Sequence, residues 1–143
     1  MKVWAVILII LALFIAIFPQ FFDCESQGRS LTLQDGRTVP MKCHWTARAE
    51  IIVGAHLLVT AIMLLIAKHK ETRVSLSFLG IVSGISAMLL PTYLIGVCGM
   101  DEMICNSTMK PALLLAGGLT IVISLIILIF SSRETDIVTP VVS

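Results

Sequence analysis

Residues 111–130 read PALLLAGGLTIVISLIILIF, an uninterrupted run without a charged side chain. About twenty apolar residues in a helix span roughly 30 Å, the thickness of the hydrocarbon core of a bilayer. Pro111 suits the first turn of such a helix, because its missing N–H would be unpaired there in any case. Ser131 and the polar residues after it provide an exit into water. This stretch predicts a membrane-spanning helix.

Three further apolar runs precede it, at about residues 3–22, 49–67 and 74–97. A lone strand would leave its backbone unpaired in lipid, and a β-barrel needs alternating segments of about ten residues, so we interpret all four runs as helices. The first run lacks a small-residue cleavage motif, and we expect it to be retained rather than removed as a signal peptide. The sequence predicts an all-α membrane protein, a four-transmembrane-helix bundle in one domain over residues 1–143.

The composition supports this class of protein. Hydrophobic residues make up 57% of the chain and charged residues 13%, whereas soluble domains carry roughly 25% charged residues. The lipid bilayer is therefore an expected partner. A formal net charge of +1 gives no reason to expect nucleic-acid binding.

Orientation is not decided by counting basic residues, since five lie on each side of the predicted membrane. The flanks of the first span are more informative, with Lys2 before it and Asp23 and Glu25 after it. The short linker between spans two and three is also rich in basic residues. We expect a multi-pass protein of the cell membrane with both termini cytoplasmic.

All four cysteines then fall outside the cytoplasm, two in each outer loop (about residues 23–48 and 98–110). Such a distribution is typical of an oxidising compartment. Four cysteines allow three pairings, and the sequence does not choose among them. The simplest expectation is one bridge within each loop, Cys24–Cys43 and Cys98–Cys105. We therefore predict a small disulfide-braced extracytoplasmic cap.

The first outer loop also carries a hairpin signal. Asp35-Gly36 lies between two short stretches, Ser30–Leu33 and Thr38–Val39, and Asp-Gly in that setting is a strong cue for a tight β-turn. Pro40 cannot donate to a ladder, so the second strand should be short. The cap is predicted to contain a β-hairpin.

Small residues occur at helical spacing in spans three and four, at Gly80, Gly84, Gly117 and Gly118. Small residues let membrane helices approach closely. They indicate either packing within the bundle, which we favour, or a face for a homo-oligomer or another membrane protein.

His56 is the only ionisable residue deep within a span, and such residues are functional candidates because burying charge in lipid is unfavourable. A haem, quinone or proton-relay role is one interpretation. A neutral ring bonded to Thr60 or to a backbone carbonyl is the structural alternative.

Soft metal donors cluster before span two, at Met41, Cys43 and His44, and the second outer loop adds Cys98, Met100, Met103, Cys105 and Met109. Thiolate, imidazole and thioether donors together would suit Cu(I). A disulfide-bonded cysteine cannot bind a metal as thiolate, and no metal-type Cys-x-x-Cys occurs. We therefore assign no metal site, and copper or haem remain alternatives.

Charged residues at the outer surface suggest a further contact. Arg48 and Glu50 stand where span two leaves the membrane, and Asp101, Glu102 and Lys110 lie in the second outer loop. We expect an interfacial ion-pair network that holds the two loops together.

Three segments carry a family resemblance: MKCHWTARAE at 41–50, PTYLIGVC at 91–98, and MICN at 103–106, followed by Pro111. Together they resemble a group of small prokaryotic four-span proteins, the domain of unknown function 4418. The resemblance covers most of the chain. It implies a prokaryotic cell-membrane protein and a fold, with no reaction to carry over.

Two hypotheses about function follow. The first is a non-catalytic membrane accessory subunit that docks through its helices and outer cap onto a larger membrane complex, such as a transporter permease. No paired intramembrane carboxylates, phosphate loop or nucleophile–base set supports an enzyme or a self-contained transporter. The second is an extracytoplasmic thiol-redox, copper or haem protein that uses Cys43, His44, Cys98 and Cys105, with His56 below them.

Overall fold

The computed structural model describes residues 2–22, 28, 31–97, 99 and 104–133. Four long helices dominate the described chain: α1 (Lys2–Phe21), α2 (Lys42–Ile66), α3 (Lys70–Leu89) and α4 (Lys110–Arg133). Two π-helical turns extend this set, Leu90–Leu94 after α3 and Cys105–Met109 before α4. All four helices, with these turns, are long and apolar enough to cross a membrane. The predicted all-α, four-span, multi-pass architecture is confirmed.

Pro91 explains where the third span changes its geometry. A proline inside a helix clashes with the carbonyl four residues earlier and donates no hydrogen bond, so the α-helix ends at Leu89 and the next turn widens. The backbone N–H groups of Ile95 and Gly96 both donate to the Leu90 carbonyl, at 3.2 and 3.0 Å. Gly96 has a φ of 77°, the left-handed conformation that commonly ends a helix.

The helices pack as two antiparallel pairs. The most extensive contacts join α1 to α2 and α3 to α4, those between α2 and α3 are fewer, and those between α1 and α4 are fewer still. Between 28% and 39% of each span is buried inside the bundle. The remaining surface carries exposed leucine, isoleucine and valine side chains on every helix. Apolar surface of this extent marks a membrane-embedded protein in contact with lipid.

Two clusters of buried side chains fill the bundle. One lies at the end where Cys43 and Cys105 are found and includes Leu57 and Leu113. We call this end the cysteine end. The other cluster includes Leu8, Leu64 and Ile127 and lies towards the opposite end, where α1 starts and α2 meets α3. We call this the basic end, because Lys2 and Arg73 lie there.

The cap predicted for the first outer loop finds little support. Leu31–Thr32 (β1) and Thr38–Val39 (β2) pair antiparallel, with Leu31 opposite Val39 and Thr32 opposite Thr38. A ladder of two residues on each strand is too short to constitute a real sheet, so the β-hairpin cap stays a prediction.

The predicted disulfides are not seen among the described residues. Cys43 and Cys105 are buried, and no pair of sulfur atoms there lies at bonding distance. Cys24 and Cys98 lie outside the described residues. The structure therefore gives no support to a disulfide-braced cap.

Candidate functional site

A row of polar side chains occupies the buried face of α2 at the cysteine end. Cys43, Thr46 and Glu50 follow one another at intervals of three and four residues, so an α-helix places them on one face. All three are 0% exposed. The same face continues through Gly54 and Leu57, which are also buried. The first turns of α2 therefore contribute polar groups to the bundle interior, beside the buried Ala47.

Side-chain hydrogen bonds join all four spans at this end. The Thr46 hydroxyl donates to the Gly96 carbonyl at 2.7 Å, which links α2 to the end of the third span. The Gln20 amide donates to the Ala47 carbonyl at 2.7 Å, which links α1 to α2. The Cys105 thiol donates to the Phe22 carbonyl at 3.3 Å, which links the start of the fourth span to the end of α1. Each acceptor is a backbone carbonyl, and such groups require partners when water is excluded.

Glu50 is the unexplained member of this row. Neither carboxyl oxygen has a hydrogen-bond partner among the described residues, and both are buried. An isolated buried carboxyl is unfavourable, and buried groups without partners are rare in folded proteins. In the expected ion-pair network, the cation of the second outer loop available to Glu50 is Lys110, and the described residues show no contact between the two. Asp101 and Glu102, the expected partners of Arg48, lie outside the described residues. Arg48 is exposed, on a different face of the helix.

Glu50 was assigned to the membrane surface by sequence reasoning, and its burial was missed. The available signal was the helical spacing that connects it to Cys43, Thr46, Gly54 and Leu57. The spacing can be recognised only if the helix is assumed to begin at Lys42, several residues before the apolar run that defines the predicted span.

The candidate metal donors among the described residues differ in their environments, and only some of them lie in one cluster. His44 is half-buried and makes an edge-to-face contact with Trp45, with ring centroids 5.9 Å apart. Met41 packs against the cluster that contains Cys43 and Cys105. Met100 and Met103 lie outside the described residues. Within the described part of the chain, no three His, Cys, Asp or Glu side chains converge as a metal site.

His56 forms a polar contact between α2 and α3, near the middle of α2. Its Nδ1 atom lies 2.9 Å from the Ser83 hydroxyl oxygen, and that hydroxyl donates to the Leu79 carbonyl at 2.9 Å. Because the serine has one hydroxyl hydrogen, we infer that the Nδ1–H group of the ring donates to Ser83. Thr60 donates to the His56 carbonyl at 2.8 Å and does not contact the ring through this bond. The ring is otherwise exposed on the bundle surface.

The four glycines fall into two groups. A Cβ atom on Gly80 would lie 2.5 Å from the Ser124 hydroxyl, and one on Gly84 would lie 2.9 Å from the Gly117 carbonyl. A Cβ on Gly117 would in turn lie 2.8 Å from the Gly84 carbonyl. These three glycines allow α3 and α4 to pack closely. A Cβ on Gly118 would meet nothing within 4 Å.

A further close approach, at Gly54, was not identified in the sequence. A Cβ atom there would lie 2.7 Å from the Ala16 Cβ and 2.9 Å from the Ala12 carbonyl. Gly54 therefore has the same role between α1 and α2 that Gly84 and Gly117 have between α3 and α4.

Four long apolar helices with polar groups buried between them define a small multi-pass membrane protein. The chain belongs to the family described as domain of unknown function 4418, whose profile matches residues 5–130. This match confirms the resemblance seen in the sequence motifs. No curated protein and no solved structure matches the chain.

Proposed function

We propose that this protein is a non-catalytic accessory subunit that docks, through its helices and the predicted outer cap, onto a larger membrane complex such as a transporter permease. The observation that carries the proposal is the exposure of His56 near the middle of the 25-residue helix α2. Polar side chains at this depth normally face a bundle interior or a water-filled cavity. An exposed imidazole is therefore a reason to place a second protein against this face.

The hydrogen bond to Ser83 uses one ring nitrogen of His56, so the other nitrogen can bond to such a partner. Nδ1 is occupied by Ser83, and Nε2 has no partner among the described residues. With the hydrogen on Nδ1, a ring that stays uncharged in lipid accepts a hydrogen bond at Nε2. The complementary group is a hydroxyl or amide N–H on a transmembrane helix of the complex. Hydrogen bonds of this kind between membrane helices contribute about 0.6 kcal/mol on average.

Gly118 gives secondary support. Contacts between α3 and α4 occupy the space beside Gly80, Gly84 and Gly117. A Cβ atom on Gly118, at the surface of α4, would meet only open space. A small residue on an open helix surface lets a second helix approach closely.

The proposal is tested by photo-crosslinking in the native membrane. A photoreactive residue is placed at Ile52 or Val59, which lie four residues before and three after His56 and are 72% and 59% exposed. Matched control positions are Val6 and Leu13 on the exposed surface of α1. We expect positions 52 and 59 to crosslink a membrane-complex subunit that co-purifies in fixed stoichiometry, and we expect His56→Leu to reduce this product.

His69→Leu is the matched control substitution, because His69 lies in the linker before α3, outside the apolar part of the bundle. It should leave the product unchanged. Crosslinks from positions 52 and 59 to lipid alone would contradict docking at this face. Crosslinks only to a second copy of this chain would replace the accessory subunit by a homo-oligomer.

A second candidate function rests on a different observation. Cys43, Cys105 and Met109 belong to one buried cluster, and Met41 packs against it. Thiol and thioether sulfur atoms in one apolar environment are suited to Cu(I), and a thiol pair of this kind could also exchange electrons with an extracytoplasmic thiol–disulfide partner.

Alkylation and intact mass measurement of the detergent-purified protein, with metals quantified on the same sample, separates the two candidates. Four cysteines closed in bridges that resist mild reduction, without copper, would exclude the thiol-redox and copper function. Stoichiometric copper, or cysteines that are readily reduced, would favour it over the accessory subunit.

A further inference from the structure

A cavity of about 140 Å³ opens at the basic end, where all four helices meet. Its lining comes from Lys2 on α1, Leu64 and Leu65 on α2, Arg73 on α3 and Ile127 on α4, with Ala67 from the linker. A single water needs roughly 10–15 Å³ by the same kind of measure. The cavity is therefore much larger than a water site.

The lining has two chemically different parts. Lys2 and Arg73 supply two cationic groups from helices that are not consecutive in the chain, and Leu64, Leu65 and Ile127 supply apolar surface. Among the described residues, no aspartate or glutamate lines the cavity. A site that combines cations with apolar walls, at the end of a membrane bundle, matches the phosphate and the first carbons of a phospholipid.

Arg73 is held in place independently of any ligand. Its Nε–H group donates to the Ala67 carbonyl at 3.0 Å, and the Ala67 N–H donates to the Met63 carbonyl at 2.8 Å. The arginine thus caps the end of α2, where backbone carbonyls lack helical partners. This bond fixes the side chain beside the cavity, so less conformational entropy is lost when an anion binds.

We propose that this cavity binds the phosphate headgroup of an anionic phospholipid through Lys2 and Arg73. The apolar walls favour a lipid over a free phosphate ion, because Leu64, Leu65 and Ile127 offer nothing to a hydrated ion. A lipid bound there contacts all four helices, including α1 and α4, which share fewer contacts than the helices within each pair. It would therefore stabilise the association of the two helix pairs.

Native mass spectrometry of the detergent-purified full-length protein tests the site. Phosphatidylglycerol, phosphatidylcholine and inorganic phosphate are titrated separately onto delipidated protein. We expect one phosphatidylglycerol to bind more tightly than phosphatidylcholine. Each basic residue near the surface contributes about 1 kcal/mol to attraction of anionic lipid, so the Lys2→Gln/Arg73→Gln variant should bind about thirtyfold more weakly.

The matched control is Lys68→Gln/Arg133→Gln, which removes the same charge from the same end at residues that do not line this cavity. It should bind nearly as tightly as the wild type. Lys2→Arg/Arg73→Lys keeps both charges and should recover most of the affinity. Recovery would show that the loss in the glutamine variant comes from the missing charges and not from misfolding. Equal losses in the first two variants would overturn the proposal, as would displacement of the lipid by millimolar inorganic phosphate or equal binding of phosphatidylcholine.

Discussion

The thiol of Cys105 lies 3.3 Å from the carbonyl oxygen of Phe22, 83 residues away in the chain. This contact brings the start of the fourth span to the end of the first. A similar contact joins Thr46 to Gly96, at 2.7 Å, and so brings α2 to the end of the third span. Both contacts connect helices that belong to different pairs.

These contacts predict which cysteines pair on oxidation. Cys24 follows Phe22 by two residues, and Cys98 follows Gly96 by two, a reach of at most about 7 Å of chain. Cys43 precedes Thr46 by one helical turn. We therefore expect the bridges Cys24–Cys105 and Cys43–Cys98 rather than one bridge within each loop. Non-reducing peptide mapping measures this directly.

Single serine variants provide an independent check of the pairing. In Cys24→Ser, Cys105 should become available to alkylation after denaturation without reductant, and Cys43 should stay protected. In Cys98→Ser, Cys43 should become available instead. Release of Cys43 by Cys24→Ser would show that the bridges are formed within the loops.

Glu50→Met should stabilise the isolated protein by about 1–3 kcal/mol. The substitution removes two buried oxygens that lack hydrogen-bond partners among the described residues and keeps a side chain of similar length. Thermal unfolding in detergent, followed by the fluorescence of Trp4 and Trp45, measures the change. Arg48→Met, at an exposed neighbour, is the control and should change stability by less than about 0.5 kcal/mol. A less stable Glu50→Met protein would mean that the carboxyl holds a cation or another ligand.

The four spans could be predicted because their signal is local. Some twenty apolar residues without charge define a membrane helix regardless of what surrounds it. The ends of the helices are harder to predict from the sequence. α2 begins at Lys42, whereas hydropathy alone starts the second span at about residue 49. A helix continues through polar residues as long as its backbone hydrogen bonds form, and a hydropathy profile contains no information about those hydrogen bonds.

The site could be predicted only in part, because it depends on how the helices are rotated. His56 was identified by its chemistry, but its partner Ser83 lies 27 residues away on another helix. Glu50 carries a charge that suggests the surface, and only the packing around α2 makes it buried. Gly54 shows the same limit, since no second glycine at helical spacing marks its close approach to Ala16.

The bond between His56 and Ser83 should contribute measurably to the stability of the isolated chain. A double-mutant cycle with His56→Phe and Ser83→Ala should give a coupling free energy of about 0.5–1.5 kcal/mol, the range for hydrogen bonds between membrane helices. The cycle of His56→Phe with Thr60→Val is the control. It should give a coupling near zero, because Thr60 bonds the His56 backbone and not the ring. Equal coupling in both cycles would contradict the inferred ring contact.

Substitution by alanine should change the stability of the bundle in opposite directions at the neighbouring positions Gly117 and Gly118. Gly117→Ala should destabilise the bundle by about 1–3 kcal/mol, because the new Cβ would press on the Gly84 carbonyl, and backbone cannot move aside as a flexible side chain can. Gly118→Ala meets open space and should stabilise α4 by up to about 1 kcal/mol through helix propensity. Thermal unfolding of the two variants side by side makes the comparison. If Gly117→Ala unfolds no earlier than Gly118→Ala, α3 and α4 are not in close backbone contact at this point. In the native membrane, Gly118→Leu should weaken docking of the proposed partner without lowering the stability of the purified chain, which separates an interaction surface from a packing contact.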